Sequence, residues 1–175
     1  MKKLLTVLLS LLLMLSAAAL AEEPAAREAP AATEAPAEIA TCQAQFGDES
    51  DVYTVRFYDN DTAVALYRAI PESGLNLPIY TFDGYEGWEV MTFYDIPSRF
   101  DIPSEPVRYE SQQSGQLYYS APNRLMLFYG DAEMPGDYVL VGYIEDSEAF
   151  RDDVANNQPL EYWGNKLIMV SRDGE

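Results

Sequence analysis

The sequence predicts a mainly β chain: a small, closed or nearly closed β-barrel with one or two short helices. Three observations predict it. Short runs rich in β-branched and aromatic residues recur from Val52 onward. Gly, Pro and Asp separate them at close intervals. Helical periodicity shows in only one or two places, too rarely for alternating βαβ units.

The elements follow in chain order. Val52 to Tyr58 reads as the first strand. Asp59-Asn60-Asp61 then offers N-cap side chains and acidic charge for a helix start. Ala63, Leu66, Tyr67 and Ile70 follow at i, i+3, i+4 and i+7, and Pro71 ends the helix. Further strands are expected at Leu77 to Phe82, Trp88 to Phe93, Gln116 to Tyr119, Leu125 to Tyr129, Tyr138 to Ile144 and Lys166 to Ser171, with a short helix over Ser147 to Val154. Between the middle strands the chain writes Asp95-Ile96-Pro97-Ser98 and repeats it at Asp101-Ile102-Pro103-Ser104, with Pro106 after it. So many prolines deny helix and central strand alike. The segment is expected as an extended surface connection, fixed by its isoleucines packing beneath it.

The N-terminal region has a different character. Lys2 and Lys3 precede an apolar run from Leu4 to Leu15, and Ala19-Leu20-Ala21 supplies a small-x-small cleavage pattern before Glu22, so residues 1–21 read as a secretory signal. Residues 22–40 are mostly Ala, Glu and Pro, with Pro24, Pro30 and Pro36 six apart, and read as a disordered, semi-rigid spacer. Residues 41–175 then form one domain. The expected location is secreted or in the cell envelope. Cys42 lies too far beyond Ala21 for a lipoprotein anchor; it is expected as a small residue at the domain edge, the alternative being a thiol that pairs between chains.

Composition removes several function classes. Of 175 residues, 11 are basic and 29 acidic; the 154 that remain after cleavage keep 9 and 29, a formal charge of −20. Such a surface repels phosphate backbones and anionic headgroups, so neither nucleic acid nor an anionic membrane surface is an expected partner. Histidine is absent, which excludes Ser-His-Asp, Cys-His and HExxH chemistry. Asp48-Glu49-Ser50-Asp51, Asp59-Asn60-Asp61 and Asp152-Asp153 could offer oxygen ligands to calcium, but none has EF-hand spacing. No GxGxxG, P-loop or CxxC occurs, and no metal or cofactor is expected. Trp88 and Trp163, each beside a glycine, are the candidates for sugar stacking.

The order of certain segments adds a resemblance. Asn60-Asp61-Thr62-Ala63-Val64-Ala65-Leu66 comes first, then Ser114-Gly115-Gln116-Leu117-Tyr118-Tyr119, Leu125-Met126-Leu127-Phe128-Tyr129-Gly130-Asp131 and Leu140-Val141-Gly142-Tyr143-Ile144. Over Val52 to Ile144 this resembles the bacterial cyclophilin-like domains of uncharacterised function. The resemblance implies a small cyclophilin-like β-barrel with the Thr62 helix over one end. It does not bring the prolyl isomerase with it: the Phe-His-Arg-Ile-Ile-Pro and Gln-Gly-Gly-Asp segments of true cyclophilins are missing. Leu66-Tyr67-Arg68-Ala69-Ile70-Pro71 imitates the first, but on the helix, where Arg68 would face solvent or the barrel's end. Phe128 and Tyr129 stand where that family's peptide-accepting strand has small residues.

Taken together, the expectation is a non-catalytic domain that binds an extended peptide or small ligand, with a prolyl isomerase and a glycan-binding module as alternatives. The candidate cleft is walled by the Leu125 to Tyr129 strand. Its candidate residues are Tyr119, Arg124, Phe128, Tyr129 and Arg99, with Tyr129 favoured over Phe128 at the cleft because neighbouring strand residues face opposite ways.

Overall fold

A computed structural model describes residues 36–81, 84, 88–158 and 166–172. The signal segment and most of the spacer lie outside the described residues, as does Trp163.

Among the described residues there are nine strands and two α-helices: β1 (Glu38–Phe46), β2 (Val52–Tyr58), α1 (Asp61–Ala69), β3 (Leu75–Thr81), β4 (Met91–Asp95), β5 (Val107–Tyr109), β6 (Gln116–Ser120), β7 (Arg124–Phe128), β8 (Gly136–Ile144), α2 (Glu148–Asn156) and β9 (Lys166–Arg172). Eight of the strands close a barrel in the order β2-β1-β9-β3-β4-β7-β6-β8, and β8 returns to β2 through Val55↔Ile144, Arg56↔Tyr143 and Phe57↔Gly142. Every pairing is antiparallel. The ninth strand, β5, lies on the first part of β8, with Val107 opposite Tyr138. A single edge of β8 thus serves β5 and then β2.

Closure depends on one backbone approach. A Cβ at Gly142 would stand 2.3 Å from the Arg56 carbonyl oxygen across the β2–β8 seam, so no larger residue fits there without parting the strands. Gly115, at φ +85° before β6, adopts a backbone conformation that side chains rarely allow.

Strand alternation sorts the apolar residues into two clusters. Cys42, Ala44 and Phe46 of β1, Leu117 and Tyr119 of β6, and Leu127 of β7 belong to the cluster inside the barrel. The intervening Tyr118, Met126 and Phe128 join Met91, Ala132 and Tyr138 in a second cluster on the outside. Strands β6 and β7 are therefore covered on both faces, which explains why Leu125-Met126-Leu127-Phe128 is an unbroken apolar run.

Helix α1 covers the barrel end beside Tyr58, burying Thr62, Ala63 and Leu66. Of the three candidate caps, Asn60 is the one used. Its side chain accepts from Ala63 N at 2.9 Å and donates to Leu140 O at 3.1 Å, joining helix start to β8. At the opposite end α2 starts on its cap Ser147 and inserts Phe150 edge-on against Phe46 and Tyr53.

Several sequence expectations need correction. Residues 88–90 are a 3-10 turn rather than strand; β4 begins at Met91, where its register with β7 begins, Met91 facing Phe128. Strand β1 starts at Glu38, inside the stretch that composition assigns to the spacer. Cys42 is not an edge residue, for it points into the barrel and is 1 % exposed. The doubled Asp-Ile-Pro-Ser connection is extended as expected, with Ile96 buried. Thr62 Oγ1 fastens it by donating to Pro103 O at 2.6 Å, and Ile96 N donates to Asn123 O at 2.7 Å.

Candidate functional site

Small inward residues leave space inside the barrel. Cys42 and Ala44 occupy positions where leucine-sized side chains would fill the interior, and an apolar cavity of about 250 Å3 lies against them. Its walls come from both halves of the barrel, including Phe57, Leu77, Ile79, Leu127 and Ile168. Leu66 of α1 and Ile70, its C-cap, close part of one end.

Residues of β3 and β4 line the cavity where the two strands diverge. They share only Tyr80↔Phe93 and Thr81↔Thr92, while Leu75 to Ile79 pair with β9 and Tyr94 and Asp95 pair with β7. Pro78, inside β3, has no N–H to donate to either neighbour. Leu75, Leu77 and Ile79 therefore face Tyr94, Ile96 and Pro97 across the lining, and exposed Pro71 and Arg99 stand with Phe100 at the rim.

Few polar groups meet this space. Thr92 is buried within it. Tyr94 is half-buried; burial pushes its hydroxyl up from the ordinary range, and the Arg99 charge pulls it back down. The Arg99 guanidinium lies over the Phe100 ring, 4.8 Å from its centroid. Among the described residues Arg99 is the one formally charged side chain in the lining.

The sequence candidates part company here. Of the five, Arg99 alone lines the cavity. Strand β7 does wall it, but through Leu125 and Leu127. Phe128 is fully buried on the opposite face, perpendicular to Tyr118. Tyr129 is half-buried and packs against the interior cluster beyond the cavity, its hydroxyl donating to Glu89 O at 2.6 Å. Tyr119 is sealed in the core, donating to Pro122 O; burial pushes its hydroxyl up, with the Asp101 charge adding to the rise. Arg124 lies outside the barrel, where Nε and Nη2 grip Asp95 at 2.7 and 2.8 Å and the guanidinium covers Phe93. That grip holds the Asp95 carboxyl below its usual range.

Other candidates are dispersed. Arg68 is exposed on α1, its carbonyl accepting from Arg172 Nη2. Trp88 is half-buried against Phe93, in a T-shaped contact of 6.1 Å, as part of the outer cluster. Asp48, Glu49 and Asp153 line a larger hollow of about 680 Å3 beside α2, but Asp153 Oδ2 already accepts from Tyr53 O–H and Asp51 N. Among the described residues no three His, Cys, Asp or Glu side chains converge as metal ligands.

A family model described as the cyclophilin-like family matches residues 45–161, from the end of β1 past α2. The chain belongs to the cyclophilin-like family. Two solved structures resemble this cyclophilin-like barrel. One is McbB in complex with tryptophan, with a TM-score of 0.53 and 14% identity over 77% of this chain and 45% of that one. The other is the solution structure of the hypothetical protein AF2241 from Archaeoglobus fulgidus, with a TM-score of 0.49 and 15% identity over 77% of this chain and 95% of that one. The chain thus spans less than half the length of McbB, and at such identity the likeness is one of fold. No curated protein matches the chain.

Sequence reasoning missed Tyr94, Thr92, Phe100 and the small β1 residues. The alternation of Cys42, Ala44 and Phe46 is a signal for the last of these, but a weak one, since two of the three are small.

Proposed function

We propose that this cyclophilin-like chain is an exported, non-catalytic binding domain that takes a small apolar ligand into the barrel. The observation that carries the reading is the apolar cavity of about 250 Å3, lined in part by β3 and β4 where they diverge. A dry apolar cavity of roughly 150 Å3 holds a benzene-sized molecule, so this one matches a ligand of about ten non-hydrogen atoms. Left empty, its walls forfeit dispersion contacts that a ligand restores. Of the two ligand classes weighed from sequence, the small molecule fits an interior space better than an extended peptide does.

The two alternatives draw less support. An isomerase of the cyclophilin kind aims an arginine at a prolyl amide, and Arg124 is instead committed to Asp95. Sugar stacking needs an open aromatic face, and Trp88 turns its ring toward Phe93.

Binding is tested with 1-octanol as a neutral probe, followed through backbone amide NMR shifts. Shifts are expected at Cys42, Ala44, Ile79 and Leu127, and Ala44→Leu, which fills the cavity from β1, is expected to remove them with the fold intact. Octanol that moves none of these amides, or moves them equally in the variant, refutes the reading. Export is tested separately. N-terminal sequencing of secreted or envelope material is expected to start at Glu22, whereas cytosolic protein with Met1 intact overturns it.

A further inference from the structure

The rim of the cavity is chemically one-sided, and its most conspicuous group is a cation in a strongly acidic protein. Arg56, Arg108, Arg124 and Arg151 each meet a carboxylate within 4 Å. Arg172 donates to the Tyr67 and Arg68 carbonyls. Arg99 meets no carboxylate among the described residues; it rests on Phe100 at the point where the apolar lining reaches solvent. Tyr94, near the end of β4 ahead of Arg99, adds a hydroxyl to the same lining.

We infer that the cavity is built for a small monocarboxylate with an apolar tail, the tail lying among Ala44, Ile79 and Leu127 and the carboxylate meeting the Arg99 guanidinium at the rim. The inference rests on the proposed binding function and names its ligand class. The planar guanidinium matches a carboxylate in two-point geometry, and its contact with Phe100 pre-orders it, so little freedom is lost on binding. Tyr94 can donate its hydroxyl proton to the same oxygens.

The carboxylates around the rim do not defeat this. Asp95 is occupied by Arg124. Glu72 and Asp101 are exposed and neither forms an ion pair with Arg99, so water and salt weaken their field at the rim. A direct contact with Arg99 therefore outweighs the overall negative field. Length is limited by volume: by proportion with a benzene-sized cavity, a tail of about six to nine carbons fits. A dicarboxylate would bring a second charge against the apolar lining, and an ammonium amphiphile would set its cation beside Arg99.

The experiment compares octanoate, 1-octanol and octylammonium by calorimetric titration on the full mature chain, with Arg99→Gln and Ala44→Leu alongside. Octanoate is expected to bind about tenfold more tightly than octanol, octylammonium more weakly than either, and Arg99→Gln to bring octanoate down to the affinity of octanol. Ala44→Leu is expected to abolish binding of all three. If octanol binds and octanoate gains nothing over it, or if Arg99→Gln leaves the gain intact, the carboxylate inference is overturned and the apolar cavity reading stands. If no probe binds the wild-type chain, both fail together.

Discussion

Replacing Gly142 with alanine is expected to lower the stability of the domain by about 3 kcal/mol or more, among the largest effects of any single methyl group in this chain. The reason is geometric. Barrel closure requires β8 to leave β5 and pair with β2, and at that seam the Arg56 carbonyl oxygen lies 2.3 Å from where the new Cβ would be placed. That obstacle is backbone and cannot swing aside as a side chain does. Relief comes only by parting β2 from β8, which sacrifices ladder hydrogen bonds and wets the neighbouring Val55, Phe57, Val141 and Ile144, all buried. Urea unfolding checks this, with a lower midpoint and raised hydrogen exchange at Val55 to Phe57. A variant as stable as the wild type would mean that the seam is not closed as described.

Phe150→Ala is expected to cost about 3 to 5 kcal/mol, the range for truncating a buried aromatic residue. Phe150 is fully buried and forms edge contacts with Phe46 at 5.8 Å and Tyr53 at 5.5 Å, a three-ring plug that holds α2 on the end of the barrel. Tyr53 offers an internal comparison. Its hydroxyl donates to Asp153 Oδ2, and burial first, then that carboxylate, push its pKa far up. Tyr53→Phe keeps the ring and removes only this hydrogen bond, so its cost is expected near 1 kcal/mol. Chemical denaturation of the two variants separates packing from polar attachment. Equal costs would show that the hydrogen bond, not the plug, holds α2 in place.

Reading the site from sequence succeeded where the information was local. Asn60 and Pro71 bracket α1 because caps and proline act on their own turn. Ser147 starts α2 for the same reason. Strand β2 matches its expected bounds, being a contiguous run with strong β preference. Strand β1 was missed because Glu, Ala and Gln dilute its β preference, and β5 because three residues are too short a run to stand out. Glu-Ile-Ala-Thr-Cys-Gln-Ala-Gln-Phe becomes a strand only because β2 and β9 flank it, and Val107 to Tyr109 only because β8 has an edge to spare.

The two arginines singled out from sequence make the same point about the site. Arg99 and Arg124 are alike in kind, each beside a proline-containing turn. Their different fates depend on register: Arg124 stands opposite Asp95 across the β4–β7 ladder, where the pair satisfies itself on the outer surface, while Arg99 follows the end of β4 to the rim of the cavity. Phe128 and Tyr129 likewise could be placed on opposite faces from their spacing alone, yet which face held the cavity was decided by which strands curled around it.

What the amino-acid sequence determined by itself is the two helices with their caps, strand β2, the family resemblance and the absence of histidine chemistry, since caps, periodicity and composition act over a few residues or over none. What the tertiary structure alone decided is closure at Gly142, the gap between β3 and β4 and the cavity behind it. Each of these depends on strands meeting in one register, and no local stretch of sequence encodes how far two strands stand apart beyond the point where their pairing ends.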